Sequence, residues 1–394
     1  MRFNLLPSRH LGGLLLILTM VGCQESQSPQ KKSSVPFVFK SLELRHKQAN
    51  GSRDWDLNSP LARYELGNRV VRASNPEGLL YKENKPSFEI SAQAAIVLND
   101  GETVLLEGNV KVQQLTGEKV LITGDRLRWS PDESKMVIEQ RPQALDNNSR
   151  ISAKTVLFQQ LTQELVFNGP TKFERWKKQR KHNNEPSIVI RGRNGLWNLD
   201  SGKLNAMGPI LGHRIVSKGD IPQQLTATRL QGNTKKGYLD LIKPVTLMIP
   251  EQKASLLAQT TRWKFNSEKI ESNQPFIATQ ERSTYRGNSF KVDLANTKVE
   301  IPQNCELSQP GEELKAEKCI WNWRTEEVQA IGDVILKREA NNQITRSDKL
   351  EGRIGEEGTV SFSSSGSKVR SQLTIEGSEE KSILSSKSSP PIQF

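Results

Sequence analysis

The sequence predicts an all-β chain, an elongated antiparallel meander folded into two facing sheets, and three observations carry that prediction. A small residue recurs about every 31 positions. Apolar residues alternate with polar ones on both sides of it, and short polar turns separate the alternating runs. A fixed period of this size means stacked supersecondary units. Strict alternation means strands with one buried face, and short turns make consecutive strands antiparallel neighbours.

The small residues stand at Ser59, Ala92, Gly124, Ala153, Gly192, Ala227, Ala258, Gly287, Ala316 and Ser347. The longest interval, from Ala153 to Gly192, holds the basic stretch FERWKKQRKHNN and reads as an insertion. Two positions before these stations are aliphatics: Leu57, Ile90, Ile122, Ile151, Ile190, Leu225, Leu256 and Leu314. Five positions after them are Tyr64, Trp129, Phe158, Trp197, Trp263 and Trp321. Aromatics make up only 6% of the chain, so such a column is not chance. Gly108, Gly169, Gly208 and Gly332 fall sixteen after a station, and Pro76, Pro170, Pro209, Pro244 and Pro275 fall one later.

Each course contains an outgoing and a returning arm. The outgoing arms place Leu127 and Trp129, Val156 and Phe158, and further on Trp197, Trp263 and Trp321 on one face. The returning arms do the same with Val104 and Leu106, Met136 and Ile138, and Leu165 and Phe167. Asn99-Asp100-Gly101, Ser130-Pro131-Asp132, Asp200-Ser201-Gly202 and Asn266-Ser267 supply the turns between arms. The aliphatic column lies at an even offset and the aromatic column at an odd one. A one-residue shift of parity must intervene, or the buried face would flip. The small residue is the natural place for that bulge or corner, and the glycine or proline near plus sixteen marks a second bend.

The ends read differently. Residues 1–22, with Arg2 and Arg9 ahead of a short apolar run, form a signal peptide closing on Met20-Val21-Gly22-Cys23, so Cys23 is the expected lipidation site. An uncleaved N-terminal anchor is the alternative; both readings export the chain and tether it to a membrane. Residues 23–35 form a polar spacer after the anchor. The Ser-rich tail 361–394 is expected to lack structure.

A net charge of +12 suggests an anionic partner such as an acidic or phosphorylated lipid or a membrane surface. A partner outside the cytoplasm is not expected to be nucleic acid. The basic stretch with Arg175, Lys177, Lys178, Arg180 and Lys181 reads as a solvated loop or as a docking patch. Cys305 and Cys319, fourteen apart in an exported chain, suit either a disulfide or two buried thiols. His46, His182 and His213 are scattered, and no metal-ligand spacing, nucleophile motif or convergent carboxylate pair stands out. No catalytic residue, metal or cofactor is expected, and the chain does not read as an enzyme.

The segment LNDGETVLLEGNVKVQQLTGEKVLITGDRLRWSPDESKMVIE resembles the lipopolysaccharide-export bridge family, the OstA-like group that includes LptA and LptC. LLEGNVKV, at 105–112, resembles the family's Gly-Asn-Val return strand, ITGDRLRW its following arm, and WDLNSPLARYE, at 55–65, the N-terminal strand region of LptC. The resemblance is good over about 36–175 and looser over 190–360. It implies a twisted β-jellyroll with an open-ended groove for lipopolysaccharide acyl chains. The named arm residues, Val104 through Trp321, would then line the groove, though the same columns suit plain core packing between sheets. It also implies an LptC-like jellyroll over 36–180 and continuing OstA/LptA-like repeats over 181–360. The implied partners are lipopolysaccharide, the inner-membrane lipopolysaccharide ABC transporter, and an LptA-like protein or the outer-membrane translocon joined by edge-strand pairing. Two departures stand out: the lipobox, and a length about twice that of many LptC proteins. A structural or adhesive β-repeat lipoprotein with a solid core is the competing function.

Overall fold

The computed structural model describes residues 35–374 except 49, 118, 178–183, 216–218, 220, 354–358 and 367. Every strand from Phe37–Lys47 to Arg370–Gln372 pairs antiparallel with its neighbours, and the pairings sort into two ladders. One course shows the route. Ser149–Ser152 lies in one sheet, and the chain turns at Ala153-Lys154 into Thr155–Gln159 of the facing sheet. A tight turn returns it along Glu164–Asn168 of that same sheet. Gly169-Pro170 then carries it back into Thr171–Arg175 of the first. Each long strand is therefore bent in the middle, with one half in each sheet.

All ten small-residue stations sit at or beside this crossing. Some separate two short strands, as Ala92 separates Lys85–Ser91 from Ala94–Leu98. Others lie inside one long strand. In Leu121–Ser130, 121–123 pair with Gln143–Leu145 of one sheet, and the residues beyond Gly124 pair with Lys135–Gln140 of the other. The parity shift lies at the stations, where Ile122 and Leu127 on either side of Gly124 both face inward. The returning strands keep their parity, as from Leu106 to Val110 and Val112, and carry bulges. Register slips between Glu107 and Val110, between Met207 and Ile210, and between Ile331 and Val334. One extra residue at each site lets both apolar faces stay inside as the paired strands change sheet. The bends thus collect along one spine, and the turns collect along two free margins, giving a V in section.

Glycine is required at the returning bends for two reasons. Gly108, Gly169 and Gly332 have φ of +77°, +79° and +78°, which side-chain-bearing residues rarely adopt. Gly208 has no such φ, but a Cβ there would stand 1.7 Å from the backbone oxygen of Thr228. Gly208→Ala should lower stability by about 1–3 kcal/mol through overpacking, read as a fall in the thermal midpoint. Gly195→Ala, whose nearest neighbour would be 3.6 Å away, should leave the midpoint nearly unchanged.

Cys305 opens Cys305–Gln309 in one sheet, and Cys319 lies in Lys318–Asn322 of the other. They are joined by a disulfide with Cα atoms 5.8 Å apart, so the bond ties the two sheets just inside the spine. A closed loop of this length stabilises by about 3 kcal/mol.

Neither ladder breaks where the sequence reading divided 36–180 from 181–360. Thr171–Arg175 pairs with Ile188–Gly192, which pairs in turn with Lys203–Arg214. Val360–Ser363 and Arg370–Gln372 are strands within the segment expected to lack structure from 361. Val360 and Phe362 alternate with serines, a half-buried strand pattern that the serine content obscured. Cys23, the signal peptide and the tail beyond 374 lie outside the described residues.

Candidate functional site

The inner faces of the two sheets form the candidate site. Val104, Leu106, Leu127, Trp129, Met136, Ile138, Val156, Phe158, Leu165, Phe167 and Trp197 all belong to one core, and none is more than 3% exposed. They close against aromatics of the facing sheet that the column pattern did not single out. Trp55 meets Trp129 edge-on at 5.2 Å between ring centroids, and Phe88 meets Phe158 edge-on at 5.0 Å. Over these courses the V is filled by its own side chains.

Farther along the packing loosens. A middle core holds Ile190, Ile210, Leu230, Leu239, Leu241 and Val245, with Ile188, Leu204, Leu225, Trp263 and Phe265 only half-buried against it. Trp263 lies edge-on to Phe265 at 6.0 Å. A third core runs from Ala258 to Leu350, where half-buried Trp321 stacks on Tyr285 at 5.7 Å. Trp263 and Trp321 thus sit apart from the first core. The cores are not isolated: Phe173 and Leu204 pack against both the first and the middle one.

The outer faces carry cross-strand ion pairs. Arg262 donates two hydrogen bonds to Asp240 at 2.7 and 2.8 Å, and Arg150 donates one to Glu174 at 2.7 Å. Lys172 also reaches Glu174 at 2.6 Å. Burial pushes the Glu174 carboxyl up, but these two cations outweigh it and leave the group below its usual range. The two margins of the V meet where Lys82 Nζ lies 3.0 Å from Asp200 Oδ2, both exposed. Lys82 ends a strand on one margin, and Asp200 lies in a turn on the other. No group of three metal-ligating side chains occurs among the described residues.

Two inward side chains escaped the sequence reading. Arg175, counted there only as part of a basic stretch, shares its face with Phe173 and places its guanidinium 4.9 Å from the centre of the Phe265 ring. Arg214 shares its face with Ile210 and Gly212. Continuing the alternation past each second bend finds both. Lys178, Arg180 and Lys181 fall outside the described residues.

Residues 12–204 match the family model described as lipopolysaccharide-assembly, LptC-related. That stretch, just under half of the chain, is similar to the LptC-related family. No curated protein matches the chain in a direct comparison. The LptC-related family is a periplasmic, inner-membrane-associated component of lipopolysaccharide transport. Its match covers the first core and ends just inside Lys203–Arg214, while both sheets and the apolar interior run on past it. Among the described residues no helix is long and apolar enough to cross a membrane.

Proposed function

We propose that this LptC-related chain is a membrane-tethered periplasmic bridge. It takes the acyl chains of lipopolysaccharide between its two sheets and passes them from the inner-membrane ABC transporter toward the outer membrane. One observation carries the reading: the apolar interior of the LptC-related half continues past the matched residues into the middle core, through Phe173 and Leu204. An amphiphile crossing water with its chains exposed would face about 0.8 kcal/mol per CH₂, and a continuous apolar interior removes that cost along the route. The length of the array lets one chain cover part of a bridge otherwise supplied by a separate LptA-like protein.

Because the first core is filled, lipid enters it by parting the two margins, with the spine as the hinge. The edge strand Phe37–Lys47 at one end, and Val360–Ser363 and Arg370–Gln372 at the other, offer pairing edges. The first suits the transporter side, and the last two suit an LptA-like protein or the translocon. Tethering falls to a lipidated Cys23 or to an uncleaved N-terminal anchor.

A photoreactive residue replacing Phe158 or Trp197 should capture lipopolysaccharide in cells. If no interior position captures lipid while the protein remains folded, the bridge reading fails. A structural repeat lipoprotein with a solid core is the second reading, favoured by the complete burial of Trp129 and Phe158, and that outcome would support it.

A further inference from the structure

The row of inner-face residues nearest one margin in the middle courses has an unusual composition. Paired strands place Ser149, Arg175, Ile188, Arg214 and Gln223 side by side. The two arginines stand two strands apart, about 10 Å at the usual strand spacing. Arg175 donates to the Ser149 hydroxyl at 3.3 Å, and Arg214 donates to Gln223 Oε1 at 3.3 Å. Among the described residues neither has a carboxylate within ion-pair distance.

The same row position farther along is treated differently. Arg338 pairs with Glu312 of the adjacent strand at 2.7 Å, so the inward cation there has its carboxylate. Ser149, Ile188 and Gln223 occupy the places in the middle row where Glu312 stands in the later one. Glu174, next to Arg175 in sequence, faces outward and is taken up by Arg150 and Lys172. Glu268, on the opposite margin, is the acid that acts on Arg214; burial draws that guanidinium below its ordinary range and Glu268 opposes the shift. Arginine stays protonated under such shifts. Two half-buried cations with neutral partners are costly to keep unless an anion meets them.

What faces them is apolar and half-open. Ile188 lies between them, and Trp263 and Phe265 line the opposite sheet, half-buried rather than sealed. We propose that Arg175 and Arg214 form a headgroup subsite at the mouth of the middle courses, holding a phosphate of a phosphorylated glycolipid whose chains lie against Ile188, Trp263 and Phe265. The proposal rests on the lipid-bridge reading and adds to it the place where the polar head is held. Guanidinium groups suit this task because they give charge-assisted, forked hydrogen bonds to phosphate oxygens.

The test compares two probes on the full chain: lipopolysaccharide, and the same material with its phosphates removed. The native protein should bind the phosphorylated form roughly tenfold or more tightly. The double variant Arg175→Gln, Arg214→Gln should lose that ratio while still binding the dephosphorylated form. In an otherwise native chain, a photoreactive residue at Ile188 should capture the phosphorylated probe in preference by a similar factor. A ratio that survives in the double variant, or equal capture at position 188, overturns the subsite and leaves the bridge reading standing. If neither form binds the native protein, the bridge reading itself falls and the subsite with it. Binding of inorganic phosphate at this pair with no effect on lipid capture would make it a bare anion site and overturn the headgroup assignment.

Discussion

Phe158→Ala should lower the stability of the N-terminal half by about 3–5 kcal/mol, the range for deleting a fully buried aromatic ring. The ring is completely buried and meets Phe88 of the facing sheet at 5.0 Å, so its loss leaves a cavity between the sheets. The strands around it are held by backbone pairing on both sides, which restricts collapse into the space. Trp263→Ala removes a larger side chain but should cost clearly less, because Trp263 is only half-buried. Denaturant midpoints of the two variants check the contrast. Equal losses would mean that the middle courses are as tightly closed as the first, and the graded interior would have to be abandoned. On the proposed bridge reading, an interior sealed in the first courses and looser beyond them would let an amphiphile rest in the looser part while displacing fewer side chains.

The route of the chain was legible because it is repeated. Ala153, Gly192 and Ala258 look alike only when their neighbours two before and five after are aligned, and the parity difference between those columns demands the bend that the structure places there. Gly208 could be assigned to a bend but not given its reason, which is the closeness of Thr228 on the adjacent strand. The partners of the aromatic column stayed hidden. Trp55 and Phe88 stand four before their stations, where later courses carry Ser149, Gln223 and Glu312, so no column forms. The inward arginines escape notice for a different reason: charge density points to the run around Lys177, whereas Arg175 and Arg214 show their inward position only when the alternation is continued past Gly169-Pro170 and Gly208-Pro209. The contents of the interior were illegible in principle, since a groove and a core require the same alternation of apolar residues.

Fastening the two margins together should stop lipid from reaching Phe158. Lys82 and Asp200 touch across the mouth, and an exposed ion pair of this kind contributes about 0–1 kcal/mol, so it does not hold the V shut. Lys82→Ala should therefore change stability little. The closure comes from the apolar packing behind it, where Trp55, Phe88, Trp129 and Phe158 fill the space between sheets. An acyl chain of a dozen methylenes offers roughly 10 kcal/mol of burial, enough to compete with that packing if the sheets can part. A chain carrying Lys82→Cys and Asp200→Cys, joined by a short cleavable thiol-reactive linker, keeps the fold and the spine but prevents parting. Capture of lipopolysaccharide by a photoreactive residue at Phe158 should then fall at least tenfold and return when the linker is cut. Undiminished capture in the linked protein would mean that lipid enters lengthwise through the ends of the array. The spine bends at Gly108, Gly169 and Gly208 would then be fixed corners rather than hinges.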